Sequence, residues 1–431
     1  MQIEALYSIY KQYPKISTDT RNIIADSIFF ALKGANFNGN AFADQALESG
    51  ARYAVIDDAA YQKDERYILV EDVLTSLQDL ARYHRAQLQI PIIGITGTNG
   101  KTTSKELLHA VLSQRYNAFA TRGNLNNHIG VPLSILSIDA AIEIAIIEMG
   151  ANHLGEIAFL SDIARPTHGL ITNVGKAHLE GFGSFEGVKK TKGELYDYLQ
   201  DHNGTLFLQG DNTHLIDMVS FRNINKIIRY GFGADNDVIG KLLIANPYLA
   251  ISWKERNKSA IYEVSTNLTG SYNTENFLAA IAVGLHFEVP ATLINQGIAG
   301  YVPTNNRSQI TKTDRNTVVA DFYNANASSM AAALENMKVL TAVHKVVILG
   351  DMFELGDDSY PEHAIVIQKA KELKLDRLIF VGEEFFKHRS AEAEFYESTT
   401  DARKAIQDLS DSFVLLKASR GMSFERLLEV L

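Results

Sequence analysis

The sequence has no cysteine, so disulfides and thiol catalysis are excluded, and the chain suits a reducing cytoplasm. It has no basic excess either: 41 lysines and arginines against 51 aspartates and glutamates leave a net charge of −10. A general nucleic-acid binder needs a basic footprint to displace phosphate counterions, so that class is excluded as well. Anionic small-molecule substrates stay open, provided that cations are gathered locally. Long apolar runs are also missing. The most apolar stretch, Ala140 to Met149, carries Glu143 and Glu148, which argues against a membrane span. The first residues, Met1-Gln2-Ile3-Glu4, show no basic segment leading into an apolar core, and the expected location is the cytoplasm. No internal repeat or low-complexity segment is present. What is there is a globular composition, 46% hydrophobic and 21% charged, over 431 residues. That length exceeds what one hydrophobic core usually serves, so two or three domains are expected.

One stretch organises the rest. The apolar run Ile90-Pro91-Ile92-Ile93 leads into Gly94-Ile95-Thr96-Gly97-Thr98-Asn99-Gly100-Lys101-Thr102-Thr103, and a helical pattern follows from Lys105 to Leu112. A buried strand entering a glycine-rich turn and then a helix aims several backbone N–H groups, and the positive end of the helix dipole, at one spot. That spot suits a polyphosphate. Lys101 adds a mobile positive charge, and the Thr102 hydroxyl is placed to meet the magnesium ion of a nucleotide. The spacing differs from the general P-loop pattern in having Ile95 five residues before Gly100, with glycines at 94 and 97 instead.

Around that stretch, residues 1–88 read as a small mixed α/β unit with strands at 24–32, 53–56 and 67–70 and helices at 41–49 and 73–87. Two polar loops there, Ser17-Thr18-Asp19-Thr20-Arg21 and the segment 33–40, suit plain turns or a helix cap. Residues 89–302 read as the nucleotide domain, with further parallel strands at 117–121, 142–149, 168–174 and 205–209. Such sheets bind ligands at the carboxyl ends of their strands. Glu148 leaves a buried strand there, where a magnesium-directed carboxylate would be wanted. His178 sits in a glycine-bounded loop and suits a ligand or a surface role equally. Lys192, in Lys189-Lys190-Thr191-Lys192-Gly193-Glu194, reads by charge pattern alone as solvated surface. Alternation around Trp253 suggests antiparallel strands between 241 and 264. The helix start containing Tyr272, Asn273 and Asn276 suits a purine contact or a simple cap. Pro303 marks a boundary, and residues 303–431 read as a second doubly wound unit, with strands at 317–322, 345–349, 377–381 and 413–416. Its own strand-end loops suggest a second substrate captured by closure.

Three motifs, Gly97-Thr98-Asn99-Gly100-Lys101-Thr102-Thr103, Glu148-Met149-Gly150-Ala151-Asn152-His153 and the segment Thr172 to Glu180, together resemble the Mur ligases, which build the cytoplasmic peptidoglycan precursor. The segment Gly123 to Pro132, the Asp321-to-Asn326 loop and the segment Leu349 to Gly356 are similar to those of the members that join D-alanyl-D-alanine to UDP-N-acetylmuramoyl-tripeptide. The resemblance implies an α/β protein of three domains: a small mixed α/β domain for the UDP-sugar, a central P-loop ATPase domain with a mostly parallel sheet, and a C-terminal Rossmann-like domain. It implies ATP and Mg2+, no nucleic-acid or membrane partner, and a monomer. It also implies roles. Gly97, Thr98, Asn99, Gly100, Lys101, Thr102 and Thr103 would hold the phosphates, Asn273 and Asn276 the adenine, Arg307 the γ-phosphate and Asp321 the ribose or hinge. Thr102 and Glu148 would hold one magnesium ion and His178 a second. Lys192 matches a lysine that several family members carbamylate. Ser17, Asp19, Arg21, Asn124, Asn126 and Asn127 match contacts to the UDP-tripeptide. Tyr272 stands where similar enzymes often have histidine, and Ala418 where glycine is common. A sister ligase adding a diamino acid, or a folate-glutamate ligase, is the nearest alternative, and a non-catalytic P-loop switch a more distant one.

Overall fold

A computed structural model describes residues 1–177 and 179–431. Three largely parallel sheets follow one another along the chain. The first runs Lys15–Ser17, Ser27–Phe30, Tyr53–Ile56, Tyr67–Leu69, all parallel. Period-two alternation sends Ile28, Phe30 and Val55 to one face and Phe29, Ala54 and Ile56 to the other. The first face packs on helices Ile3–Gln12 and Val73–Gln87, the second on Ala43–Glu48.

Helix Val73–Gln87 joins this unit to the next. Asp72 caps it by accepting from the Thr75 N–H at 2.7 Å. Its last turn carries Arg85, whose guanidinium donates to the carbonyls of Leu88, Ala164 and Arg165, each at 2.9 Å. A buried guanidinium satisfied by three carbonyls fixes two elements together. Tyr10 adds a bond to the Leu136 carbonyl at 2.6 Å, and His84 a bond to that of Ile138 at 2.8 Å.

The central sheet has nine strands, in the order Tyr262–Ser265, Leu249–Glu255, Val238–Ala245, Lys226–Gly231, Thr205–Gln209, His168–Ile171, Ile92–Thr96, Ile144–Glu148, Ala118–Ala120. The first three pair antiparallel and the others parallel. Strands Ile92–Thr96 and Ile144–Glu148 are buried along their whole length, as expected of parallel strands covered by helices on both faces. The third sheet runs Gln309–Lys312, Thr317–Asp321, Phe413–Lys417, Lys345–Gly350, Arg377–Val381, Glu394–Tyr396, and only its first pair is antiparallel.

Several elements differ from the sequence reading. The strand expected over 24–32 contracts to Ser27–Phe30, because Asp26 adopts a left-handed φ of 58° that no strand continues through. Helix Ile3–Gln12 is absent from that reading, although Ile3, Leu6, Tyr7 and Tyr10 repeat at helical spacing. The edge strands Gln309–Lys312 and Glu394–Tyr396 are too short to carry a pattern of their own and exist through pairing. No helix among the described residues is long and apolar enough to cross a membrane.

At the sheet end remote from the P-loop turn, His168 Nε2 lies 3.0 Å from His286 Nε2, between Phe207 and Phe287. Burial, and next the neighbouring His286, push the His168 imidazole down to about 3. His286 is lowered as well, by burial and then by Lys226. An unfolded histidine titrates near 6.5 and so takes up its proton before the folded one. The stability that the neutral pair contributes is therefore complete above about pH 6.5 and is lost as the pH falls toward 3. Unfolding free energies from urea titrations between pH 7 and 4.5 should fall more steeply for the natural chain than for His168→Phe, by up to about 1.4 kcal/mol per pH unit. Equal slopes would refute the assignment.

Candidate active site

Sheet register sets where the motifs meet. Ile95 lies opposite Glu148 on one side of the central strand, and Thr96 opposite Ile171 on the other. The loops leaving these three neighbouring strands therefore emerge side by side. They open into a cleft of about 690 Å3.

The turn itself is tightly fitted. Gly97 has φ 145° and Gly100 φ 78°, and a Cβ on Gly97 would stand 2.0 Å from Thr172 Oγ1. The turn is tied to the adjacent loop by the Thr98 N–H to the Asn173 carbonyl, the Asn99 N–H to Asn173 Oδ1, and Thr172 Oγ1 to the Asn99 carbonyl at 2.6 Å. Lys101 Nζ turns back to donate to the carbonyls of Gly97 and Thr98, at 2.8 and 3.0 Å. Burial lowers the Lys101 ammonium to about 8, with Glu148 opposing that shift and Arg307 adding to it.

Glu148 is 2% exposed. Its Oε1 accepts from Asn126 Nδ2 at 2.9 Å, while Oε2 is buried with no hydrogen-bond partner. Lys105 Nζ, itself buried, donates to the Thr121 carbonyl at 2.7 Å and stays 4.0 Å from that oxygen. Among the described residues no group of three histidines or carboxylates is gathered as a metal cage. One unsatisfied carboxylate oxygen, with the Thr102 hydroxyl on the same cleft wall, fits a magnesium ion that takes its other oxygens from phosphates and water.

The opposite wall comes from the third sheet and the linker before it. The Arg307 guanidinium stacks on the Tyr323 ring at 3.8 Å, and its Nε is buried without a partner. Asp321 accepts from Lys417 Nζ at 2.7 Å and from the Ser308 N–H at 3.2 Å. Asn99 of the turn is held between Asn326 Nδ2 and Ser328 Oγ, both at 2.8 Å. Lys176 and Glu362 form a second bridge between the two units at 3.1 Å. Asn276 Oδ1 accepts from Ser104 Oγ at 3.0 Å, and Asn276 Nδ2 donates to Asn273 Oδ1 at 2.9 Å. Both asparagines line the cleft while locking their helix start against the P-loop helix.

The cleft gathers Thr98 to Thr103, Asn124, Asn126, Asn127, Glu148, Asn273, Asn276, Arg307 and Asp321. It does not gather Ser17, Asp19 or Arg21. The Ser17 hydroxyl is buried between Ser27 Oγ and the Ile24 N–H, and Asp19 and Arg21 pair with each other in solvent. His178 lies outside the described residues. The reading of Lys192 as solvated surface, drawn from charge pattern alone, is overturned: the residue is 2% exposed, with Nζ 5.3 Å from the Phe182 ring centroid. Burial, then Lys101, lower its amine to about 7. The signal was present. Val188, Thr191, Lys192, Leu195, Tyr196 and Leu199 repeat at helical spacing and are all buried, while Lys190 is exposed and Lys189 pairs with Glu186 at 2.6 Å. Sequence reasoning did not single out Lys105, Tyr323, Ser328 or Lys417 as site residues. Lys417 closes strand Phe413–Lys417 and Tyr323 follows strand Thr317–Asp321, and a place at a strand end was the one cue that applied to them.

This architecture defines an α/β ligase scaffold, and comparison with known proteins agrees. The family models "Mur ligase family, catalytic domain", "Mur ligase middle domain" and "Mur ligase, glutamate ligase domain" match residues 12–85, 95–284 and 306–420. The chain belongs to the Mur ligase family. Within it, the chain is 34% identical to the UDP-N-acetylmuramoyl-tripeptide--D-alanyl-D-alanine ligase of Bacillus subtilis, over 96% of this chain and 92% of that protein. The crystal structure of MurF from Acinetobacter baumannii superposes with a TM-score of 0.86 at 29% identity, covering 96% of this chain and 92% of that one. MurF ligase from Thermotoga maritima in complex with ADP gives 0.85 at 26% identity, covering 96% of both chains.

The tightness of the turn is open to direct test. Gly97→Ala combines a left-handed backbone with a Cβ placed 2.0 Å from Thr172 Oγ1, and should cost about 2 kcal/mol or more in urea unfolding. An unchanged midpoint would show that the two loops are not pressed together.

Proposed function

We propose that this chain is an ATP-dependent amide ligase that joins D-alanyl-D-alanine to UDP-N-acetylmuramoyl-tripeptide, giving the pentapeptide precursor, ADP and phosphate. The observation that carries the reading is the convergence of the P-loop turn, the half-satisfied Glu148 and the Arg307–Tyr323 stack on one cleft between two units, in a chain similar to such ligases over nearly its whole length. The first sheet's unit takes the UDP-sugar, the central unit ATP, and the third unit the dipeptide. The protein acts in the cytoplasm as a monomer.

The reaction sets a problem of charge. A substrate carboxylate must approach the γ-phosphorus of ATP although both are anionic, and Lys101 and Arg307 neutralise that approach. The backbone N–H groups from Gly100 into the start of helix Lys101–Leu112, beyond the Thr98 and Asn99 N–H groups bonded to Asn173, hold the phosphates. Lys101 is positioned to exchange its two carbonyl partners for phosphate oxygens, a charge-assisted bond replacing neutral ones. Glu148 and Thr102 would hold the magnesium ion that offsets the remaining phosphate charge. The attack forms an acyl phosphate and releases ADP. The amine of the dipeptide then adds to the acyl carbon, and the tetrahedral intermediate collapses to an amide and phosphate. Water would destroy the acyl phosphate, which gives the Asn99 and Lys176 bridges to the third unit a purpose in closing the cleft. Lys192 is read as the carbamylated lysine: carbon dioxide adds to a neutral amine, and burial supplies one near neutral pH.

The deciding experiment measures phosphate release from ATP and magnesium with UDP-N-acetylmuramoyl-tripeptide, with and without D-alanyl-D-alanine, and then the product mass. Turnover that requires both, with the mass of one added dipeptide, is expected. Turnover only with a diamino acid or with glutamate would move the chain to a sister activity. Lys101→Ala should reduce kcat by at least about 1000-fold, since it removes a cation facing the transferring phosphoryl group. Lys192→Ala should lose activity that short carboxylic acids partly restore. Absence of rescue would leave Lys192 a structural lysine.

A further inference from the structure

Arg307 does not stand on a regular element. It belongs to the linker from Tyr301 to Ser308 that connects the central unit to the third sheet, and the residues on either side of it are left-handed, with Asn306 at φ 55° and Ser308 at φ 50°. Such a segment has no ladder of its own to fix its register, so something must hold it. One end is secured by Ser308, whose N–H donates to Asp321 and whose hydroxyl bonds Tyr272 at 2.8 Å. The other end is secured by a residue that no motif singled out. Glu106, in the second turn of the P-loop helix, receives Asn305 Nδ2 on both carboxylate oxygens, at 3.0 and 3.1 Å, and the Tyr301 hydroxyl on Oε2.

We propose that Glu106 is a positioning residue: it clamps the linker to the helix that begins with Lys101, and thereby sets where Arg307 meets the nucleotide. The placement supports this in three ways. Glu106 does not line the cleft, so it acts through other groups. It stands on the same helix as Lys101, five residues on, so the clamp measures the distance between the two cations across rigid backbone. Its partners Tyr301 and Asn305 lie six and two residues before Arg307, close enough for their release to free the guanidinium. Burial and the Glu106 carboxylate both raise the Tyr301 phenol, which stays a donor to Glu106 through the working pH range.

The inference rests on the reading of Arg307 as a phosphate-facing cation, and the test separates the two. The variants are Glu106→Ala, Asn305→Ala, Glu106→Gln, Arg307→Ala and the double variant Glu106→Ala with Arg307→Ala, each assayed for kcat/KM of ATP by phosphate release with both other substrates. Glu106→Ala and Asn305→Ala should each lose at least tenfold, and the double variant should be within twofold of Arg307→Ala alone, because a clamp has nothing to position once the guanidinium is gone. Glu106→Gln should stay within threefold of the natural chain. Its carbonyl accepts the Tyr301 hydroxyl, and a half-turn of the Asn305 amide brings Oδ1, buried with no partner in the natural chain, to the new amide N–H. A merely structural role would instead multiply the losses. Asn305→Ala, a linker change that leaves the helix intact, carries the test if Glu106→Ala folds poorly. Multiplied losses, or near-natural activity in both clamp variants beside a crippled Arg307→Ala, would overturn the clamp alone. Full activity in Arg307→Ala would overturn the reading of Arg307 and the clamp with it.

Discussion

The structure depends on one point of crowding, where strands Ile92–Thr96, Ile144–Glu148 and His168–Ile171 end together. Neighbouring parallel strands lie roughly 5 Å apart, so three chains must leave the sheet within about 10 Å of one another. The middle one turns at once into a helix, and only a residue without a side chain fits where Gly97 faces Thr172. The turn that results is held from one side by the loop after Ile171 and from the other by Asn276, which approaches Gly100 and bonds Ser104. Backbone N–H groups are thereby fixed in place before any ligand arrives. Preorganised donors of this kind need no rearrangement when phosphate charge arrives.

Charge is the second constraint. The chain as a whole is acidic, yet Lys101, Lys105, Arg307 and Lys417 are drawn in around Glu148 and Asp321, with Lys192 buried beside Lys101. Buried ions are costly to desolvate, by several kcal/mol each, and persist when partners compensate them. Lys417 and Asp321 compensate each other directly at 2.7 Å. Lys105 and Glu148 do so incompletely at 4.0 Å, which leaves one buried carboxylate oxygen without a hydrogen-bond partner. The same burial that lowers the amines of Lys101 and Lys192 raises the energy of every unpaired cation there, and an anionic ligand relieves it. The site is thus strained toward its ligand by electrostatics, with aromatic support for Arg307 from the face of Tyr323.

The cleft belongs to no single unit. Its floor is the central sheet, its far wall the third sheet, and the linker 301–308 passes between them. Side-chain amides bridge the gap: Asn99 in the turn meets Asn326 and Ser328 at the start of helix Ala327–Val339. Hydrogen bonds of this kind are individually modest, about 1 kcal/mol net, so they join the two walls without merging their apolar cores. The first unit is joined differently. Helix Val73–Gln87 shares an apolar cluster with the central sheet, so the two units share one core, whereas the third unit has cores of its own.

Much of this was legible from residue order alone, and the division has a physical reason. Strand-to-helix turns are local: glycine spacing, an apolar run before them and a helical pattern after them lie within some twenty residues, so the turn at 94–103 could be placed without a structure. Glu148 was legible because a carboxylate at the end of an apolar run conflicts with its surroundings. The sequence alone also determined the alternation of strands and helices, hence the α/β class, since periodicities of 2 and 3.6 are written into side-chain order. Tertiary structure decided the rest. Whether Lys192 faced solvent or core depended on which side of its helix the sheet covered. Ser17, placed by residue order in a loop, became a strand residue through pairing with Phe29, twelve residues away. The edge strand Glu394–Tyr396 arose from pairing with Arg377–Val381 across an intervening helix, and the clamp of Glu106 on Asn305 spans 199 residues. Contacts between residues that far apart leave no mark in local composition, because they are selected by where the chain returns and not by what stands beside them.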